Sequence, residues 1–224
     1  MENLKDASMI TLYDYSRSSA AYRARIALNL KELDYEQISV HLTKDGGQQF
    51  NEDYTEINPQ NLVPTLIDGD TKLTQSMAIM EYLEEVYPEP SFLPGDAANR
   101  AQIRALANII ACDIHPLNNL RIRLYLANDL DVSEEKRKVW MARWVCKGFE
   151  AYEKLFAQGP QGKFSHGDQP SIADICLIPQ MANARRADHG VDVEEFPTLL
   201  KIEEACQALP AFEKALPENQ PDAE

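Results

Sequence analysis

The chain has 224 residues, with 36 acidic side chains against 22 basic ones and a formal net charge of −14. That length leaves room for one large domain or two small ones, either with a sizeable core. The acidic balance excludes general nucleic-acid binding, which draws on basic surface to neutralise phosphates, and requires any anionic ligand to meet a local basic pocket. No run of 18 apolar residues is present and residues 1–6 lack the basic and apolar segments of a secretion signal, so the expected setting is the cytoplasm, with no membrane partner. Cys112, Cys146, Cys176 and Cys206 are widely spaced, with no CxxC pair and no clustered histidine. They read as buried, reduced, apolar side chains rather than as metal ligands or a disulfide framework.

In chain order, Ile10, Thr11, Leu12 and Tyr13 form a short apolar run that ends at Asp14 and Tyr15. Ser16, Arg17, Ser18 and Ser19 then lead into helical spacing of Tyr22, Ile26, Ala27, Leu30 and Leu33, which predicts strand, loop and helix. Ser18 or Ser19 caps that helix, and its free N–H groups and positive dipole end favour an anion in the loop. A thiolate is one candidate anion. No cysteine lies nearby, so a reactive sulfur must arrive with a ligand. Lys31 suits the negative end of the same helix.

Residues 35–42 alternate as a half-buried strand, predicting a right-handed parallel βαβ unit. Lys44, Asp45, Gly46, Gly47, Gln48 and Gln49 read as a polar turn, followed by a short helical or irregular stretch closed at Asn58 and Pro59. Residues 62–67 and 71–74 pair as a hairpin around Asp68, Gly69 and Asp70. Within it Pro64 marks an edge, a bend or a cis bond. Gln75 and Ser76 open a helix with an apolar stripe of Ile79, Met80, Leu83, Val86 and Tyr87. The N-terminal part thus reads β α β α β β α.

Pro88, Pro90, Pro94 and Gly95 mark a linker over 88–96, dividing an N-terminal domain, 1–87, from a C-terminal one, 97–224. The second half reads as helix throughout: 97–112, a continuation past a kink at Pro116 to Leu126, and 133–156, ended by Gly159, Pro160 and Gly162. Ser171 followed by Asp174 has the spacing of a reciprocal N-cap before Ile175, Ile178 and Met181. Two further helices start at Phe196 and Pro210, and 217–224 reads as an acidic, frayed tail.

With these elements in place, the chain resembles the cytosolic glutathione transferases, and within them the zeta class. The resemblance rests on Arg17, Ser18 and Ser19 with Arg23, Ala24, Arg25, Ile26, Ala27 and Leu28, and on Lys44 through Phe50. Asn58 and Pro59, Val63, Pro64, Thr65 and Leu66, Gln75 and Ser76, and Pro116, Leu117, Asn119 and Leu120 add to it, as do Pro179, Gln180, Ala182, Asn183 and Ala184. It implies an α/β plus all-α architecture, with a thioredoxin-like βαβαββα domain that binds glutathione followed by an all-helical domain, and a homodimer. The implied activity is glutathione-dependent cis–trans isomerisation of maleylacetoacetate to fumarylacetoacetate. Alternatives on the same fold are maleylpyruvate isomerisation, general transferase or peroxidase chemistry, and a non-catalytic interaction module.

The resemblance also assigns candidate residues. Ser18 donates to the glutathione sulfur and Ser19 caps or assists, simple capping without chemistry being the alternative. A cis Pro64 turns the Val63 backbone toward the cysteinyl unit, Gln75 and Ser76 hold the γ-glutamyl carboxylate, and Gln49 reaches the glycyl end. His115 and Asn119 are further candidate glutathione contacts. Arg17, Arg121 and Arg186 are candidate clamps for the carboxylates of a small dicarboxylate substrate. Arg23 and Arg25 read as structural, pairing with acids across the domain junction, and Asp174 as a capping residue. Ala20 departs from the class, which commonly has cysteine there, and argues against thiol exchange by the protein itself.

Overall fold

The computed structural model describes residues 9–186 and 188–223. The chain packs as two compact units: the described residues up to Pro90 together with those from Pro210 onward, and Ser91–Leu209.

The first unit runs β1 (Ile10–Asp14), α1 (Ser19–Leu30), β2 (Tyr35–Ser39), α2 (Glu52–Ile57), β3 (Thr65–Asp68), β4 (Thr71–Thr74) and α3 (Ser76–Val86). This is the βαβαββα order read from the sequence, in one sheet of order β2-β1-β3-β4. β1 and β2 are parallel, with Asp14 opposite Ser39, and α1 makes the crossover. β3 runs antiparallel to both neighbours, with Thr65 opposite Tyr13 on one side and Thr74 on the other. This register has a direct consequence for the site. The chain leaving β1, β2 and β4 and the chain entering β3 all lie at the same end of the sheet. Leu12 and Leu66 from the sheet, Ala24, Ile26 and Leu28 from α1, and Ile79, Met80 and Leu83 from α3 form the buried core. β2 stops short of the expected Leu42: the Val40 N–H still donates to the Asp14 carbonyl (2.7 Å), and the chain then turns away.

The second unit contains α4 (Ala97–Asn108), α5 (His115–Asn118), α6 (Leu120–Asn128), α7 (Glu134–Phe156), α8 (Ile172–Ala184) and α9 (Pro197–Gln207). Its central element is α8, buried along almost its whole length, with Ile103, Ile110, Val145, Phe149 and Tyr152 in the same core. A helix apolar on every side has no solvent face to offer and belongs inside. The Ser171 and Asp174 capping box forms as read: the Asp174 carboxylate accepts the Ser171 N–H (2.8 Å) and hydroxyl (2.9 Å), and also the Ser165 N–H (2.7 Å). Two expected helices differ in detail. A π-helical turn, Ile109–Ile114, follows α4, and the expected run from Pro116 to Leu126 breaks at Asn119. The break follows from capping, because Asn119 is extended and its Oδ1 accepts the Ile122 N–H (3.2 Å), opening α6. Among the described residues no helix is long and apolar enough to cross a membrane.

Three expectations need correction. The segment 210–223 does not extend the helical half. α10 (Pro210–Lys214) packs on α1, Phe212 and Ala215 are buried, and Asn29 Nδ2 donates to the Ala211 carbonyl (3.0 Å). The described part of the tail is not frayed: Gln220 is buried, and Asp222 accepts the Ser16 N–H (3.1 Å) and the Ser39 hydroxyl (3.0 Å). Within the expected linker, Pro90 belongs to the first unit and accepts from Lys31 Nζ (2.7 Å), while Phe92 and Leu93 are core residues of the second. Cysteine burial holds for Cys176 and Cys206, whereas Cys146 is half-buried and Cys112 exposed; all four are free thiols.

Candidate active site

Ser18 is the N-cap of α1: its backbone is extended (φ −79°, ψ 116°) and its Oγ accepts the Ala21 N–H (3.2 Å). A hydroxyl that accepts from a cap still has its own hydrogen to donate. Ser18 is partly exposed, Arg17 beside it is exposed, and Ser19 is buried as the first residue of the helix. The Ser18 hydroxyl therefore combines a donor with the positive end of a twelve-residue helix. The two tyrosines before the loop pack into the core. Tyr15 is buried in an apolar cluster with Ala21, Val40, Tyr54 and Val63, and the Tyr13 ring packs on Tyr54 with centroids 5.6 Å apart.

The loop is held from behind by a buried ion pair. Arg25 Nη1 meets the Asp14 carboxylate at 2.7 and 2.9 Å, while Nη2 donates to the Ser16 carbonyl and Nε to the Ala215 carbonyl, both at 3.0 Å. Arg25 is structural as expected, but its acidic partner lies in its own unit rather than across a junction. Lys31, expected to complement the helix dipole, is instead buried against Glu84 (3.2 Å). In both pairs the partner lies in another element, beyond the reach of a local pattern.

Val63 and Pro64 enter the same end of the sheet through a cis peptide bond, and the ladder begins only at Thr65, so the Val63 backbone N–H and C=O are not part of it. Two side chains build this turn. The Tyr54 hydroxyl and Asn58 Nδ2 both donate to the Leu62 carbonyl (2.6 and 2.7 Å) and both reach Thr65 Oγ1. Burial pushes the Tyr54 phenol above its ordinary value, against hydrogen bonds to Thr65 and Asn58, so it stays protonated and donating. Tyr54 gave no signal in the sequence, lying in a stretch read as helical or irregular.

Gln75 precedes α3 with φ +71°, and Ser76 starts the helix with its Oγ accepting from Arg23 Nη1 (3.3 Å). A buried guanidinium thus stands beside a second helix N-terminus, and both favour a negative charge. Gln49 hangs on the segment leaving β2: its Nε2 donates to the Leu42 carbonyl (3.2 Å), and its buried Oε1 has no partner among the described residues. Gly47 makes room for it, with φ +104° and space where a Cβ would stand 2.7 Å from Gln49 Nε2.

Ser18, Ser19, Arg17, Gln49, Val63, Pro64, Gln75 and Ser76 all belong to the first unit, at the end of the sheet where its connections gather. His115, Asn119, Arg121 and Arg186 belong to the second. There Asn119 caps α6, Arg121 is exposed in its first turn, and His115 is half-buried at the start of α5. Arg186 lies just past α8 and reaches Asp188 (3.5 Å), which also pairs with Arg123 of α6. Arg186 therefore already has a carboxylate partner.

A family model for the glutathione S-transferase N-terminal domain matches residues 8–85, and one for the glutathione S-transferase C-terminal domain matches 147–216. The chain belongs to the glutathione S-transferase family. Within this family it is 49% identical over 214 residues to a probable maleylacetoacetate isomerase of Vibrio cholerae serotype O1, covering 96% of this chain and 98% of that one. It is similar to a solved holo maleylpyruvate isomerase, described as a bacterial glutathione S-transferase of the zeta class (TM-score 0.91, 45% identity, 96% of this chain and 100% of that one). A maleylacetoacetate isomerase of Anaeromyxobacter dehalogenans 2CP-1, solved with dicarboxyethyl glutathione and citrate in its active site, superposes with a TM-score of 0.83 (39% identity, 96% and 94% coverage). The thioredoxin-like unit and the helical unit are those of a glutathione S-transferase.

Proposed function

We propose that this glutathione S-transferase catalyses the glutathione-dependent cis–trans isomerisation of maleylacetoacetate to fumarylacetoacetate. The observation that carries the reading is the Ser18 hydroxyl, which accepts from its own helix and so has a hydrogen to offer an anion at the α1 N-terminus. The first unit fits the tripeptide in other respects. The orphan Oε1 of Gln49 calls for a donor, which an amide N–H of glutathione supplies, and the end of α3 beside Arg23 suits a carboxylate. With Nε2 spent on Leu42, Gln49 offers that acceptor in addition to its remaining N–H. Val63 would pair with the cysteinyl backbone in the manner of an added strand. Bound glutathione supplies a thiolate that adds reversibly to the cis double bond and leaves it free to rotate.

The chain's own residues supply the rest. Ser18 donates to the sulfur and, with the dipole of α1, favours its deprotonated form at neutral pH. Ser19 begins the same helix and assists by fixing its first turn. Arg17, Arg121 and Arg186 are the proposed partners of the substrate carboxylates, and Arg186 binds by exchanging Asp188 for substrate. His115 and Asn119 remain proposed glutathione contacts. Ala20 tunes affinity without removing turnover, because no step needs a protein thiol. A homodimer and a cytoplasmic setting complete the proposal. Maleylpyruvate isomerisation is the second reading, favoured by the likeness to the holo enzyme described above.

The test follows loss of maleylacetoacetate by absorbance, with and without glutathione, coupled to hydrolysis of fumarylacetoacetate, with maleylpyruvate run in parallel. Turnover requires glutathione, Ser18→Ala lowers kcat about 100-fold, and Arg17→Ala mainly raises KM. Isomerisation at full rate by protein stripped of glutathione refutes the proposal. If glutathione at 100 times its Kd fails to raise stability by about 2.7 kcal/mol, the non-catalytic reading takes its place.

A further inference from the structure

Ser18 carries the proposed chemistry, and its loop is held from outside as well as by its own turn. Ser16, two residues upstream, is buried, and each of its polar groups is bonded to a residue outside the loop. Its N–H donates to Asp222 Oδ2 (3.1 Å), its hydroxyl to the Asp222 carbonyl (3.3 Å), and its carbonyl accepts from Arg25 Nη2 (3.0 Å). The same Asp222 Oδ2 accepts the Ser39 hydroxyl (3.0 Å), tying the end of β2 to the end of β1. Gln220 reinforces this clasp. Its Oε1 accepts from Gln37 Nε2 (2.9 Å), which also donates to Asp14 (2.8 Å), and its own Nε2 donates to the Lys214 and Leu216 carbonyls (3.0 and 2.6 Å). From Ser16 the constraint reaches Ser18 through one tight turn, closed by the Ser18 N–H on the Tyr15 carbonyl (2.9 Å).

We infer that Asp222, within a strap formed by residues 215–223, is a positioning residue that fixes the height and aim of the Ser18 hydroxyl through Ser16. The inference rests on the reading of Ser18 as the group that meets the glutathione sulfur. Asp222 touches no reacting atom. Its effect is geometric: a buried N–H deprived of its acceptor swings to find water, and displacing a donor by about 1 Å costs up to 100-fold in rate.

The test uses the full chain carrying Asp222→Ala, with Asp222→Asn as the conservative variant that keeps a neutral acceptor. In the glutathione-free protein, amide exchange across residues 16–21 accelerates about tenfold in Asp222→Ala and returns toward wild type in Asp222→Asn, while exchange in α3 is unchanged. The thiolate absorbance of bound glutathione titrates about one pH unit higher in Asp222→Ala. Its kcat falls about tenfold, with KM for the diacid within about twofold of wild type. Wild-type exchange at 16–21, or a wild-type thiol titration, in Asp222→Ala overturns the inference. Ser18→Ala, run alongside, separates it from the reading beneath. If Ser18→Ala titrates bound glutathione like wild type, the role of Ser18 itself is lost; if Ser18→Ala raises the titration and Asp222→Ala does not, only the strap is refuted.

Discussion

Replacing Asp14 by alanine tests the claim that a buried ion pair holds the first unit together. The Asp14 carboxylate accepts two contacts from Arg25 (2.7 and 2.9 Å), the Tyr15 N–H (2.7 Å) and Gln37 Nε2 (2.8 Å). Its removal leaves a fully buried guanidinium with no carboxylate opposite it among the described residues, held by backbone carbonyls and the face of the Tyr22 ring. An uncompensated buried charge of this kind costs about 3–5 kcal/mol, a large share of the roughly 5–15 kcal/mol that keeps a domain folded. Both tryptophans, Trp140 and Trp144, lie in the second unit, so fluorescence does not follow the first. Native-state hydrogen exchange in α1 does, and a loss of about 4 kcal/mol accelerates its slowest amides about 1000-fold. The double replacement Asp14→Leu with Arg25→Met removes both charges and recovers part of the loss. Recovery stays incomplete because the Ser16 and Ala215 carbonyls lose their donor. Exchange in α1 of Asp14→Ala within threefold of wild type would refute the reasoning.

Two further predictions concern the second unit. Burial holds the His189 imidazole down to about 4, with Asp188 opposing and Arg123 and Arg186 adding to the effect, so it is neutral when folded and ordinary when unfolded. The stability it contributes is complete above pH 6.5 and is lost as the pH falls toward 4, on the order of 2–3 kcal/mol. Urea midpoints followed by tryptophan fluorescence at pH 7.5 and pH 5 should show this slope, and His189→Gln should reduce it; an unchanged slope contradicts the assignment. Gly148→Ala in α7 sets a Cβ 2.2 Å from Ile114 Cδ1 and destabilises by about 1–3 kcal/mol. Adding Ile114→Ala makes the space, so the two losses sum to less than their separate values in a double-mutant cycle; simple additivity would contradict the packing argument.

Local rules found what is locally determined. Thr71–Thr74 as a strand, a capping serine at 18 or 19 and the Ser171 and Asp174 box each depend on neighbours within a few residues, and each forms, the cap falling on Ser18 and not on Ser19. The failures share the opposite property. Lys31 and Glu84 are 53 residues apart, and Asp222 and Ser16 are 206 apart, so a lysine looked like a dipole partner and an acidic segment looked frayed. Cys112 was misread because an exposed thiol beside Asn108 has the same spacing pattern as a buried one. For the candidate site, the helix-terminal positions of Ser18 and Ser76 were visible in the sequence. Arg23 and Arg25 were legible as structural, but the groups they hold were not, and Tyr54 gave no signal, because that support passes between elements.

The return of α10 and the strap to the first unit sets a constraint on how the molecule is made. A ribosome releases β1 to α3 early, but the residues that cover α1 and accept from Arg25 Nε emerge only after the whole second unit has been synthesised. Until then the newborn α1 lacks the cover that α10 provides and carries an arginine short of one acceptor. The N-terminal part is therefore the first to be translated and among the last to be completed.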